Sequence, residues 1–536
     1  MGHDRSFVYA LDDPYIHLAI AKNFAFHGVW GITSHEFTSA SSSPLWLLLL
    51  TSCFKLSGPD LMLGSIWPLV LNLLSSILVI GVLWREALRY FSPLVTTIAT
   101  IVAVLAIPLP TLIVSGQEHV LHCAVIFLLV QGYARVLTDR NSISQRDWNV
   151  MLFLTSIAVL VRYESLFLIA IFGLLLLRQK QYREAFLFVS IATVPAVIFG
   201  IISMFQGWPP LPNSIWLKVS PSSSFLSPIK YIDLFTTAPE VCFCLLLLLA
   251  VWIWLRSNIN NSVDKNFTGD LNGRELINRC SLLIGLIVLH LMLARLGWLF
   301  RYEAYLIFAC FLVFFPFIKK IPIRPRSQNY VRFSTVWVLS GILGCFLLQR
   351  TYMAIDHTPK ALINIRVQHL EMARFFQTHF PKSSLALNDI GAVSYLRDSE
   401  VLDLFGLANL EVANSRRAGS YDAKAIEGIA RARKVEFIAI YPSWFDSARS
   451  RLPFVDSTII INNSDPQRTS EIPDAWIRCA EWELQGPEYS FHIAFFATSE
   501  QSASKLRTAM AQFAPSLPPR VICTLIESKG ERRQFN

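Results

Sequence analysis

Leu11-Asp12-Asp13-Pro14-Tyr15 sets two carboxylates side by side in a short polar segment that leads straight into hydrophobic chain. Charge held beside a bilayer loses solvation, so an acid pair there points to use. A carboxylate can take the proton of an attacking hydroxyl as a general base. Two together can also hold a hard divalent ion, so Asp12 and Asp13 are the candidate ligands if a divalent metal is required. The plain structural alternative is that the pair caps a helix running from Tyr15 to Phe26, with Pro14 in its first turn. The readings are compatible, since one acid can cap while the other points away.

More chemistry-bearing residues recur downstream. Glu118 closes Ser115-Gly-Gln-Glu118, and Arg162 and Glu164 frame Arg-Tyr-Glu. Asn213 sits in Leu211-Pro-Asn-Ser214, ahead of Lys218. Arg301, Tyr302 and Glu303 follow Phe300, and Asn388 and Asp389 open Asn-Asp-Ile-Gly-Ala392. Cations of this kind hold a phosphate and stabilise it as it leaves. Each also has a structural reading: interfacial ion pairs for Arg162–Glu164 and Arg301–Glu303, snorkelling for Lys218, helix capping for Glu118. His17, His27 and His35 lack the tight spacing of metal ligands.

The elements that must position these residues are mostly apolar. The 536-residue chain is 53% hydrophobic and 16% charged, against about 25% charged for ordinary soluble proteins. Its mean hydropathy is +0.45. Apolar runs lie near 61–84, 93–108, 119–137, 150–161, 164–177, 186–205, 239–255, 281–297, 303–318 and 332–349, which predicts about ten spans. The segment 44–56 is too short to cross and reads as an interfacial helix. The net charge is +9, but the cations fall in short loops, so a nucleic-acid partner is not expected. Arg85 and Arg89, Arg140 and Arg146, Arg178 to Arg183, Arg256 to Arg279, and Lys319 to Arg326 mark loops that the positive-inside rule places in the cytoplasm. The acidic segment, Glu118, the Arg162 turn, Lys218, the Arg301 turn and everything after 350 then lie outside.

Three domains follow: 1–60, a first loop with juxtamembrane helices; 61–350, the membrane domain; 351–536, an extracytoplasmic α/β domain with strands at 435–441, 457–462 and 491–497. Residues 358–379 have a helical pattern. The chain begins on the outer side with no helix to deliver it there, so an earlier first helix is expected. Cys479 and Cys523 are either a disulfide or two separate buried thiols.

With those motifs in order, the chain resembles the polytopic GT-C glycosyltransferases that use polyprenyl-phosphate sugars, most of all the mycobacterial-type terminal arabinofuranosyltransferases and their bacterial relatives. The matching stretches also include Ser42-Ser-Pro-Leu-Trp46 and Val401-Leu-Asp-Leu-Phe-Gly-Leu407. The resemblance implies an inner-membrane, multi-pass enzyme in which Asp12 or Asp13 is the base. It also implies that Arg162, Lys218 and Arg301 meet the donor phosphate, with Glu164 and Tyr302 beside them. Asn388 and Asp389 would face the site from a capping domain that helps bind a glycan or glycolipid acceptor. Arg-Tyr-Glu stands where relatives often have Arg-Pro-Glu, and His119 follows Glu118 where they have Thr, so the sugar stays open, with arabinofuranose the candidate. The rivals are a transporter or flippase of lipid-linked sugars, a glycan-binding assembly or sensor protein, and a GT-C enzyme with a protein or lipid A acceptor.

Overall fold

The computed structural model describes residues 7–217, 236–258, 273–320, 330–445, 472–484, 491–528 and 530–535. Lys218, the strand expected at 457–462 and part of the fifth basic loop lie outside the described residues. Helix α1 (Asp13–His27) and helix α2 (Pro44–Ser57) each carry a proline in the first turn, where N–H groups lack partners. The apolar bundle follows: α3 (Trp67–Ala87), α4 (Pro93–Ala106), α5 (Leu109–Val114), α6 (His119–Thr138), α7 (Gln145–Val161), α8 (Ser165–Arg178), α9 (Tyr182–Phe205), α10 (Pro239–Asn258), α11 (Gly273–Leu293), α12 (Ala304–Lys320) and α13 (Tyr330–Ile365). All ten apolar runs are helical. Among the described residues, six helices are long and apolar enough to cross a membrane. Pro93–Ala106, Ser165–Arg178 and Ala304–Lys319 are shorter apolar helices.

Polar side chains sort the loops to two ends of the bundle. At one end Arg279, fully buried, binds Glu86 at 2.6 Å, Glu275 at 2.8 Å and the Leu312 carbonyl at 2.8 Å. Asn278 donates to Thr138, and Gln179 donates to the Leu137 carbonyl. The basic loops at 85–89, 138–146, 178–183 and 274–279 therefore share that end. One expectation changes: Arg279 is not a loop charge but the buried tie between α3, α11 and α12. The acidic segment, Glu118, Arg162 and Arg301 meet at the other end.

Beyond α13 a π-helical turn (Arg366–Leu370) leads into α14 (Glu371–His379). A seven-stranded sheet of order β2-β1-β3-β5-β4-β6-β7 follows. Strands β1 (Leu385–Leu387), β2 (Val401–Asp403) and β3 (Phe437–Ile440) are parallel. Strands β4 (Ile477–Leu484), β5 (His492–Ala497), β6 (Val521–Ile526) and β7 (Arg532–Phe535) are antiparallel. Alternation along β1 and β3 sends Leu385, Leu387 and Phe437 to a core with Phe375, Trp482 and Phe513, and Ala386 and Ile438 to a second core with Ile426 and Val412. The sheet is thus covered on both faces, as its parallel half requires. Cys479 and Cys523 are separate buried thiols: the strand register sets Trp482, not Cys479, opposite Cys523. Burial pushes the Cys479 thiol up to about 11 and the Cys523 thiol up to about 12.

The first core also contains Tyr9, Tyr15, Trp46 and Phe54. Helices α1 and α2 therefore bury their apolar surface against the α/β domain as well as against the bundle, and the acidic segment lies in the seam.

Candidate functional site

Asp12 and Asp13 part at once. Asp13 opens α1, and its Oδ2 accepts from Arg301 Nη2 at 2.6 Å. Asp12 turns to the α/β domain, where its Oδ2 and Oδ1 accept the N–H groups of Gly391 and Ala392 at 2.5 and 2.8 Å. These amides open a short helix, α15 (Gly391–Leu396), whose unpaired N–H groups suit a carboxylate. Asp12 is thus a cap, but of a helix 379 residues away rather than of α1. Gly391 is needed for that approach: a Cβ there would lie 2.3 Å from the Asp12 carbonyl oxygen. The two carboxylates face different partners, so as placed they do not chelate a divalent ion. With Asp13 on Arg301 and Asp12 on the Gly391 and Ala392 amides, the residues do not fit the metal expectation.

Arg301 also donates to Gln117 and, at 3.0 Å, to the Tyr302 hydroxyl. The chain reaches it through a left-handed run: φ is +76° at Gly297, +51° at Trp298, +59° at Leu299 and +61° at Phe300. Left-handed backbone costs side-chain-bearing residues about 1–2 kcal/mol each. Arg301 does not pair with Glu303, which binds Arg350 instead at 2.5 Å.

Arg162, in the turn between α7 and α8, is held by Glu164 (2.5 and 3.2 Å), Glu118 (2.5 Å) and His119 Nε2 (3.1 Å). The Arg162–Glu164 pair expected from sequence is present, and Glu118 is a third member; its side chain does not cap α6. The Arg162 guanidinium lies 5.8 Å from the Tyr302 ring and that of Arg301 4.9 Å, so Tyr302 joins the two. His17 bonds Ser41 through Nε2 at 3.1 Å, and burial lowers its pKa. Its Nδ1 lies 4.0 Å from Glu118 Oε2, and neither atom has a hydrogen-bond partner among the described residues. Buried polar atoms rarely stay unpaired, and these two face one another beside Arg162.

Across the seam, Asp389 Oδ2 lies 2.7 Å from His369 Nε2, with the Tyr441 hydroxyl at 3.4 Å. Burial disfavours the imidazolium, but the Asp389 carboxylate outweighs it and the His369 pKa is raised. Burial, reinforced by Asp389, pushes Asp12 up to about 7 against the pull of His369 and the two amides. Asn388 accepts from the Tyr441 N–H at 3.3 Å, and its Nδ2 has no partner among the described residues. Asn213 is used elsewhere: its Nδ2 donates to the Gly406 and Leu407 carbonyls at 2.7 and 3.3 Å, and its N–H donates to Ser39. Asp403 shapes that loop by accepting from Phe405 and Ala408. Asn213 is therefore a tie between the bundle and the α/β domain.

The structure thus brings together Asp13, Glu118, Arg162, Glu164, Arg301 and Tyr302, with Asp12, Asn388 and Asp389 on the adjoining seam and Asn213 apart. Sequence reasoning passed over Gln117, His369, Tyr441 and Arg350. Gln117 stood inside a quoted motif, while His369 was concealed in a helical pattern and Arg350 at the end of an apolar run.

A family model described as a domain of unknown function (DUF8728) matches residues 361–500, from the end of α13 to the start of the last helix. No curated protein matches the chain. Among solved structures, the archaeal oligosaccharyltransferase AglB from Archaeoglobus fulgidus, in complex with an inhibitory peptide and a dolichol-phosphate, is similar at a TM-score of 0.41 and 9% identity. The match covers 97% of this chain and 72% of that one.

Proposed function

We propose that the chain is a membrane glycosyltransferase of the GT-C type. It moves one sugar, with arabinofuranose the candidate, from a polyprenyl-phosphate donor to a hydroxyl of a cell-envelope glycan or glycolipid. The reaction takes place at the extracytoplasmic face of the cytoplasmic membrane. The observation that carries this reading is the Asp13–Arg301 pair at 2.6 Å, near Glu118 Oε2 and His17 Nδ1, which lack hydrogen-bond partners among the described residues. A carboxylate and a guanidinium at one site offer a base and a phosphate ligand, provided the donor parts them so that they act on opposite sides of the anomeric carbon.

In that displacement Asp13 takes the acceptor hydroxyl's proton as its oxygen bonds to C1. The C1–O bond to the phosphate breaks with its electron pair, and Arg301 takes up the charge on the leaving lipid phosphate. Attack opposite the leaving group inverts the anomeric centre. The site holds three carboxylates (Asp13, Glu118, Glu164) against two guanidinium groups (Arg162, Arg301). A phosphate must therefore displace an acid or bring in another cation. Displacing Asp13 from Arg301 would free the base as the donor seats, and Lys218 is the candidate extra cation. Gln117 and Tyr302 keep Arg301 aimed during that exchange.

The test uses the purified full chain in lipid nanodiscs with radiolabelled polyprenyl-phosphate pentose or hexose and an envelope glycan fraction. Transfer with no second compartment supports the reading. Donor movement across vesicles without transfer would support the flippase instead.

A further inference from the structure

The left-handed turn before Arg301 is held at several points by buried side chains. Glu303 accepts the Gly297 N–H through Oε2 at 2.8 Å and binds Arg350 through Oε1 at 2.5 Å. Arg350 also binds Glu240 at 2.5 Å and donates to the Phe300 carbonyl at 2.6 Å, its guanidinium 5.0 Å from the Phe300 ring. His290 Nε2 lies 3.1 Å from the Arg295 carbonyl just upstream, and His357 stacks on Phe300 with ring centroids 6.4 Å apart. Glu240, Glu303 and Arg350 are all buried, on or beside α10, α12 and α13. Strained backbone persists only where its surroundings over-determine it. Like Arg279, Arg350 binds two acids and one carbonyl, but its carbonyl belongs to the residue just before Arg301, and its partner Glu303 also holds the Gly297 N–H at the start of the turn.

We propose that the Arg350–Glu240–Glu303 network is the positioning device for Arg301: it locks the left-handed turn that delivers the guanidinium to Asp13, Gln117 and Tyr302. This deepens the proposed reaction and rests on Arg301 meeting the donor phosphate. Arg350 is a positioning residue, acting through the turn rather than on the substrate. Because α13 continues through the π-helical turn into α14, the helix that grips the turn also enters the α/β domain.

The test is a double-substitution cycle in the full chain. Arg350→Gln is made alone and together with Arg301→Lys, and donor turnover is read alongside hydrogen exchange of peptides covering residues 294–303. Alone, Arg350→Gln lowers kcat on the order of a hundredfold, as a displaced catalytic group does. With Arg301→Lys present it costs less than about threefold, because the shared effect is already lost. Exchange across the turn speeds at least about tenfold as its hydrogen bonds open. Leu299→Gly, which takes a left-handed φ without strain, restores part of the lost kcat. Should Arg350→Gln fail to fold, Arg350→Lys keeps the charge and removes the forked contact. Equal losses in both backgrounds, or unchanged exchange, would overturn the proposal. A wild-type chain that turns over no donor would sink the reaction instead, and the exchange measurement alone would then decide whether Arg350 holds the turn.

Discussion

Neighbours in sequence, Asp12 and Asp13 have different work, and substitution separates it. Asp13→Asn keeps the shape and removes the base, so transfer falls on the order of 10²–10⁴-fold with folding intact. Initial rates per folded molecule check this. Asp12→Asn keeps one amide acceptor and loses the other, which weakens the seam. Its pH dependence follows from linkage. Folding raises the Asp12 pKa to about 7 from about 3.9 in an unfolded chain. Between those values the folded state binds more protons, so Asp12's contribution to stability falls as pH rises through that window. The melting temperature of the wild type relative to Asp12→Asn therefore declines from pH 5 to pH 8. A difference that grows with pH contradicts the assignment. Sequence alone could not split the pair, because Asp12's partner is an amide pair 379 residues away, and no local pattern carries that information.

At the scale of elements, Asp12 on the N-terminus of α15 and Asn213 on the 406–407 carbonyls are two of the contacts that set the α/β domain on the rest of the chain, with Lys22 on the Tyr395 carbonyl and Arg417 on the Trp216 carbonyl. Gly391→Ala puts a methyl where the Asp12 carboxylate sits, with Asp12 Oδ2 only 2.6 Å away. It should loosen the seam as much as losing Asp12 does, which limited proteolysis after residue 365 would show. The buried Arg279 is a different case. Arg279→Met removes the buried guanidinium that Glu86 and Glu275 share and leaves them the more exposed cations Arg89 and Arg135; breaking such a buried pair costs about 3–5 kcal/mol, read as a fall in detergent melting temperature. Ten of the bundle's described helices fall on the ten apolar runs, since burial in lipid or core leaves its mark in composition, while the short Leu109–Val114 helix was not foreseen. The charges were harder to read. Arg279 and Arg350 sit at the ends of apolar runs and resemble loop cations, but the fold turns both inward. The strands at 435–441 and 491–497 were legible as short apolar runs, because a sheet covered on both faces buries consecutive residues.

For the whole molecule, the polar groups sort to opposite ends of one bundle. One end holds a buried ion-pair network in which Arg279 meets Glu86 and Glu275. The other holds a site whose acids outnumber its arginines and whose Glu118 and His17 atoms lack partners among the described residues. The central claim is that Asp13 is the base of a lipid-phosphate sugar transfer. Its most direct measurement sets the single variants Asp13→Asn and Asp12→Asn side by side in one assay with radiolabelled polyprenyl-phosphate sugar and envelope glycan. The account predicts that Asp13→Asn abolishes transfer while Asp12→Asn retains a measurable fraction with lowered thermal stability. Full transfer by Asp13→Asn, or loss confined to a well-folded Asp12→Asn, would contradict it.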